Sequence, residues 1–219
     1  MVTEGSTAAA PLPDTISAYS HGWNKLWKPF WILLLMLIII AAIGAVANFI
    51  PFVGFLLGVF LAAPLNYGVS YAYLKAARGE PVDINIMFSV FQNYWNVFLA
   101  ALLTTIIISV GFIFLIIPGI YLACKLAFVP YVVMDKKLEV IEALKASWNM
   151  TDGYGWQVFL TYLLGIPAMI AGFICLGVGA IVAAMWINIA LASLYYAVSI
   201  VKPVTVPAPP AAVPPAAAA

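Results

Sequence analysis

Residues 116–135 read IIPGIYLACKLAFVPYVVMD. This run is apolar up to its closing aspartate, opens on Pro118-Gly119, and carries one charge near its middle, Lys125. A lysine at the centre of a membrane span costs about 2.5–3.5 kcal/mol on insertion scales, so its surroundings decide what the run is. The rest of the chain supplies the answer about medium. Of 219 residues, 66% are hydrophobic and 8% are charged. Soluble domains carry roughly 45–50% apolar and about 25% charged residues. Such a surface suits lipid, and a bilayer protein is the expectation.

Membrane crossing takes about 20 apolar residues. Six candidate spans meet or approach that length, at roughly 29–49, 52–74, 96–117, 119–134, 156–174 and 177–200. They pair into three hairpins through short apolar turns around Pro51, Pro118-Gly119 and Gly177. The expected fold is all-α: a polytopic membrane protein with six transmembrane helices in three hairpins and interfacial amphipathic helices. Pro64 and Pro130 fall inside the second and fourth spans, where neighbouring helices can satisfy the carbonyls they free. Lys25, Lys28, Lys75, Arg78, Lys136, Lys137, Lys145 and Lys202 all fall on one side of this arrangement. Basic loops stay inside, so both termini are expected to be cytoplasmic. The first apolar run starts after a long polar lead and is too long for the core of a cleaved signal. Residues 1–13 read as a flexible lead, 14–202 as the membrane domain, and 203–219 as a disordered Pro/Ala tail.

A weak internal repeat overlies the hairpins. WKPF at 27–30, WNVF at 95–98 and WQVF at 156–159 each open the first helix of a pair. A short stretch with one apolar helical face precedes each. These faces comprise Ile16, Tyr19, Trp23, Leu26 and Trp27; then Ile84, Met87, Phe88, Phe91, Tyr94 and Trp95; then Leu138, Ile141, Leu144 and Trp148. Copies with an even number of spans share one orientation and would be related by an axis along the membrane normal.

FIFLIIPGIYLACKLAFVPYVVMD, followed by EVIEALKASWNMTDGYGWQVFL, resembles an uncharacterised family of prokaryotic six-span proteins. That family is similar to the membrane domain fused to some glycerophosphodiester phosphodiesterases. The resemblance rests on the IPGIY turn, the basic residue at Lys125, VPYVV with its following acid, and EALKASW with the next span. It covers residues 90–175 and implies a fold and a multi-pass location in a prokaryotic cell membrane. It implies no activity, because the phosphodiesterase chemistry of those relatives belongs to their soluble domain, which is not expected here.

The residues themselves argue against several chemistries. A basic stripe for nucleic acid is missing. Cys124 and Cys175 have no CxxC spacing and only one histidine accompanies them, so no metal site or cofactor is expected. Phosphodiester hydrolysis needs acidic or histidine metal ligands, yet the acids scatter through loops and interfacial helices. His21 is expected to face headgroups, and GFLLG at 54–58 is a helix-packing spacing. No enzyme activity is expected.

Two accounts of Lys125 stand. In one it snorkels to the outer headgroups or to carbonyls near Pro118, about 9 Å away along the helix from Gly119. In the other it lines a polar cavity with Asn66 and Asn188, which sit midway along the second and sixth spans. That trio would suit a lipid headgroup or a small anion, making the protein a membrane-embedded binding or transport module. The alternative function is a non-catalytic scaffold organising lipid or a partner protein through its cytoplasmic helices. The charged helix at 135–148 is the candidate docking face, and its Glu142 and Lys145 are spaced to pair.

Overall fold

The computed structural model describes residues 11–49, 58–174 and 178–204. Within them the chain is helical and contains no strand. The helices are α1 (Thr15–Leu26), α2 (Phe30–Phe49), α3 (Ala63–Arg78), α4 (Asn85–Phe88), α5 (Tyr94–Phe114), α6 (Ile116–Leu126), α7 (Val129–Lys136), α8 (Val140–Thr151), α9 (Gly155–Ile174) and α10 (Val178–Val201). A π turn, Gly58–Ala62, leads into α3, and a 3-10 turn, Ser89–Asn93, joins α4 to α5.

Among the described residues, four helical stretches are long and apolar enough to cross a membrane: Asn85–Phe114, Ile116–Lys136, Gly155–Ile174 and Gly179–Val201. A fifth emerges if α1 and α2, which meet at 98°, count as one broken span. The expected second span is described only from Gly58 onward. The expected turns at Pro51 and Gly177, the 54–58 packing motif, Cys175, and most of the lead and tail fall wholly or partly outside the described residues.

Large apolar side chains point outward. On α9, Leu163, Leu164, Ile166, Ile170, Phe173 and Ile174 are exposed, while Val158, Thr161, Gly165 and Gly172 are buried. The same inversion holds on α5, where Ala100, Ala101, Thr104 and Gly111 face inward. Lipid tails are as apolar as leucine, so helices associate through small residues that let backbones approach.

The expected apolar faces divide between the bundle and its outside. On α1 the buried residues are Thr15, Ala18, Tyr19, Gly22 and Leu26, whereas Ile16 and Trp27 are exposed. On α8 they are Ala143, Ser147, Met150 and Thr151, with Ile141 and Trp148 outside. Helix α1 docks on α9 and α10: the Tyr19 hydroxyl donates to the Thr161 carbonyl at 2.7 Å, and Trp186 Nε1 donates to the Tyr19 carbonyl at 3.0 Å. His21 lies on this contact, its Nδ1 3.2 Å from Ser193 Oγ on α10, and so faces the bundle instead of headgroups.

The hairpin between α5 and α6 turns on Leu115, not on Pro118-Gly119. Leu115 is extended, with φ −167° and ψ 151°. Pro118 sits in the first turn of α6, where a missing N–H costs nothing. Gly119 allows the Phe112 ring to lie against α6, since a Cβ there would come within 2.6 Å of that ring.

At Pro64 and at the helix break before Pro130, carbonyls left without a helical partner are taken up by side chains of other helices. Pro64 offers no N–H to the Phe60 carbonyl four residues back, and the Tyr94 hydroxyl donates to it at 2.6 Å. Pro130 breaks the fourth expected span at Ala127–Phe128, between α6 and α7. The Lys125 carbonyl accepts from Ser147 Oγ at 2.8 Å and from Thr151 Oγ1 at 3.3 Å, both fully buried on α8. Helix α8 thus packs against the break with its polar side. It begins at Val140, so the expected helix at 135–148 is in fact the end of α7, a turn, and most of α8. Glu142 and Lys145 form no ion pair.

Helix α3 ends where Gly79 adopts φ 77°. The Gly79 N–H reaches the Ala76 carbonyl at 3.0 Å and the Glu80 N–H reaches the Lys75 carbonyl at 2.9 Å, a Schellman cap that needs the left-handed residue. This cap sets the depth at which Arg78 is presented.

Candidate functional site

Two ion-pair clusters occupy the bundle, and they differ in how open they are. The closed one joins the ends of α3, α7 and α10. Arg78 donates through Nη1 and Nη2 to Asp135 Oδ1 and Oδ2 at 2.6 and 2.8 Å, the two-pronged geometry that matches guanidinium to carboxylate. The Tyr195 hydroxyl adds a bond to Asp135 Oδ2 at 3.2 Å, and Lys136 Nζ lies 3.5 Å from the same oxygen. Beneath it Tyr131, Phe128 and Tyr195 pack ring on ring. Both Asp135 oxygens are engaged, and the chemistry of the cluster is that of a clasp.

The other cluster surrounds Lys125. Its side chain is 8% exposed, and its ammonium is paired with the Asp152 carboxylate. The Tyr121 and Trp148 rings flank the ammonium, with centroids at 5.6 and 5.2 Å. A cation over an aromatic face gains electrostatic attraction that grows as water is excluded. Asp152 begins the short α8–α9 loop and is 57% exposed. The lysine beside it holds its carboxyl below the usual carboxylate range. From the end of α10, Lys202 Nζ donates to the backbone carbonyls of Asp152 at 2.5 Å and Asn149 at 3.3 Å.

This placement corrects the reading of Lys125 as reaching back towards Pro118. Its partner lies in the loop that the sequence groups with the basic residues, at the opposite end from the α5–α6 turn. The trio is not joined by hydrogen bonds. Asn66 is exposed, and its Nδ2 donates to the Ala62 carbonyl of its own helix at 2.8 Å. Asn188 does the same to Ala184 at 2.8 Å. Both amides satisfy themselves four residues back, as polar side chains in apolar helices do.

Beside Lys125 lies a cavity of about 490 Å³ between α6 and the start of α9. Its walls include Ile117, Tyr121, Cys124, Trp156 and Phe159, with Gly153 and Gly155 at the loop end. A second cavity of about 410 Å³ shares Ile120, Cys124 and Phe159 with it and extends along Phe112, Tyr162 and Ile166. Together they make one apolar groove with a single cation, Lys125, on its wall. Cys124, a free buried thiol, lies on the seam. Among the described residues no three His, Cys, Asp or Glu side chains are placed to share a metal ion.

The sequence pointed to Lys125 but missed Asp152 and Lys202. The usable signal was the loop DGYG at 152–155, where an acid is followed by two glycines directly before a span. No protein-family model, curated protein or solved structure matches the chain.

Proposed function

We propose that this protein is a non-enzymatic, membrane-embedded module that binds a phospholipid in the groove between α6 and α9. The observation that carries this reading is a cation more than nine-tenths buried on the wall of an apolar groove, formed by two cavities that share Ile120, Cys124 and Phe159. Burying a charge is costly unless it is paired or has a partner to meet. Ligand sites combine an apolar lining with a few placed polar groups, which is the composition here. The headgroup sits at Lys125 and the α8–α9 loop, and an acyl chain follows Phe159, Tyr162 and Ile166.

The experiment is native mass spectrometry of the purified protein beside Lys125→Met. The wild type is expected to retain phospholipid. The variant is expected to lose retention about tenfold or more, since a hydrogen bond to a charged group contributes about 1.5–3 kcal/mol. Equal retention in a folded variant discards the groove and moves the reading to the scaffold alternative, for which the exposed Ile141 and Lys145 on α8 are the support.

The topology belongs to the same proposal: six spans, both termini cytoplasmic, in a prokaryotic cell membrane, built as three copies of a short helix followed by a hairpin. It is supported by the short-then-long helix order at α1–α2, α4–α5 and α8–α9. In each copy, moreover, the tryptophan ring touches the phenylalanine three residues on, at 5.6, 6.1 and 5.3 Å. A reporter enzyme active only outside the cytoplasm is expected to work when fused at Pro51, Pro118 or Gly177. Silence at any of the three rejects the arrangement.

A further inference from the structure

We propose that the Asp152 carboxylate is a built-in stand-in for the ligand's anion, and that an anionic phospholipid binds by expelling it from Lys125. The inference rests on the groove reading above and adds the class of headgroup and how it enters.

Three groups surround the ammonium of Lys125. The Tyr121 and Trp148 rings flank it, and Asp152 holds its ion-pair contact. An incoming phosphate that pairs with Lys125 therefore competes with Asp152 for the ammonium. Asp152 is the member of the group free to move. It is more than half exposed, and among the described residues Lys125 is the one hydrogen-bond partner of its side chain. The loop that carries it has Gly153 at φ 83°, and a Cβ at either Gly153 or Gly155 would meet nothing within 4 Å. The loop therefore has open space beside it.

A destination for the released carboxylate already exists. Lys202 holds the backbone carbonyl of Asp152 at 2.5 Å, so its ammonium lies within a side-chain rotation of the freed carboxylate. Exchange then runs from one pair to two: phosphate on Lys125, Asp152 on Lys202. The charges agree. Lys125, Lys202 and Asp152 sum to +1, and one phosphodiester anion brings the site to neutrality. A zwitterionic head would leave the excess positive charge in place. Ile120, Phe159 and Ile166 along the groove suit an acyl chain, which selects a lipid over a free anion.

The test titrates short-chain phosphatidylglycerol into the detergent-purified full chain, with phosphatidylcholine and inorganic phosphate as parallel arms. Asp152→Asn removes the internal competitor and is expected to bind phosphatidylglycerol about tenfold or more tightly than wild type, a gain of about 1.4 kcal/mol. Adding Lys125→Met is expected to abolish the gain. A gain in binding cannot come from misfolding. If Asp152→Asn binds phosphatidylglycerol equally or more weakly while Lys125→Met still loses lipid, the stand-in idea falls and the groove stands. If phosphatidylcholine shows the same gain, or inorganic phosphate binds as tightly as the lipid, the proposed headgroup is wrong. Lipid binding unchanged by Lys125→Met rejects the groove itself.

Discussion

Asp135→Ala is expected to destabilise the protein by about 3–5 kcal/mol, the usual cost of removing one partner from a buried ion pair. The substitution strands the Arg78 guanidinium, 19% exposed, against the ring of Tyr196 with no carboxylate to accept its two N–H groups. It also removes the acceptor of the Tyr195 hydroxyl. Because the clasp joins α3, α7 and α10, the loss is cooperative and should appear as one early transition in a denaturant or thermal unfolding curve in fixed detergent. Arg78→Lys is expected to recover only part of the stability, since an ammonium lacks the planar fork. The paired change Arg78→Met with Asp135→Leu should restore most of it, because two apolar groups leave no charge behind. An unfolding midpoint unchanged by Asp135→Ala would mean that the clasp contributes nothing.

Gly68→Ala is expected to cost about 1–3 kcal/mol, the range for overpacking a tight contact. A Cβ at Gly68 would lie inside contact distance of the Met87 carbonyl oxygen and 2.9 Å from its carbon. Those are backbone atoms, so no side-chain rotation relieves the clash, and α3 must part from α4. Gly58→Ala is the control. Nothing lies within 4 Å of a Cβ there, and alanine is the better helix former by roughly 0.5–1 kcal/mol. The pair should therefore shift the unfolding midpoint in opposite directions or, at Gly58, not at all. Equal shifts would show that glycine's effect is general and not a matter of the α3–α4 contact.

The Lys125 groove and the Arg78 clasp place the buried charge of the bundle in two distinct roles. In the clasp both oxygens of Asp135 are engaged, by Arg78 and by the Tyr195 hydroxyl. Around Lys125 one side of the pair is exposed, the loop is glycine-bearing, and an apolar groove runs past. The same chemistry, a cation against a carboxylate, joins helices in one place and, in the proposal above, exchanges with a ligand in the other. The difference is access.

Several features follow from the sequence alone. Composition and run length pointed to the all-helical class and the long apolar helices, because hydrocarbon tolerates no unpaired backbone and leaves few alternatives to a helix. Helix α9 at Gly155–Ile174 and α10 at Val178–Val201 lie within two residues of their expected bounds for that reason. The significance of Lys125 was also legible, since a charge in an apolar run stands out. Its partner was not. Asp152 lies 27 residues away, and only the return of α8 against the break at Ala127–Phe128 brings it there. Which part of each apolar face turns inward was not legible either: on α1, Tyr19 and Leu26 are buried while Ile16 and Trp27 of the same expected face are exposed. The tertiary structure alone decided which carboxylate meets which cation, because ion pairing depends on distances of a few ångströms between residues remote in the chain. Hydropathy depends only on neighbours.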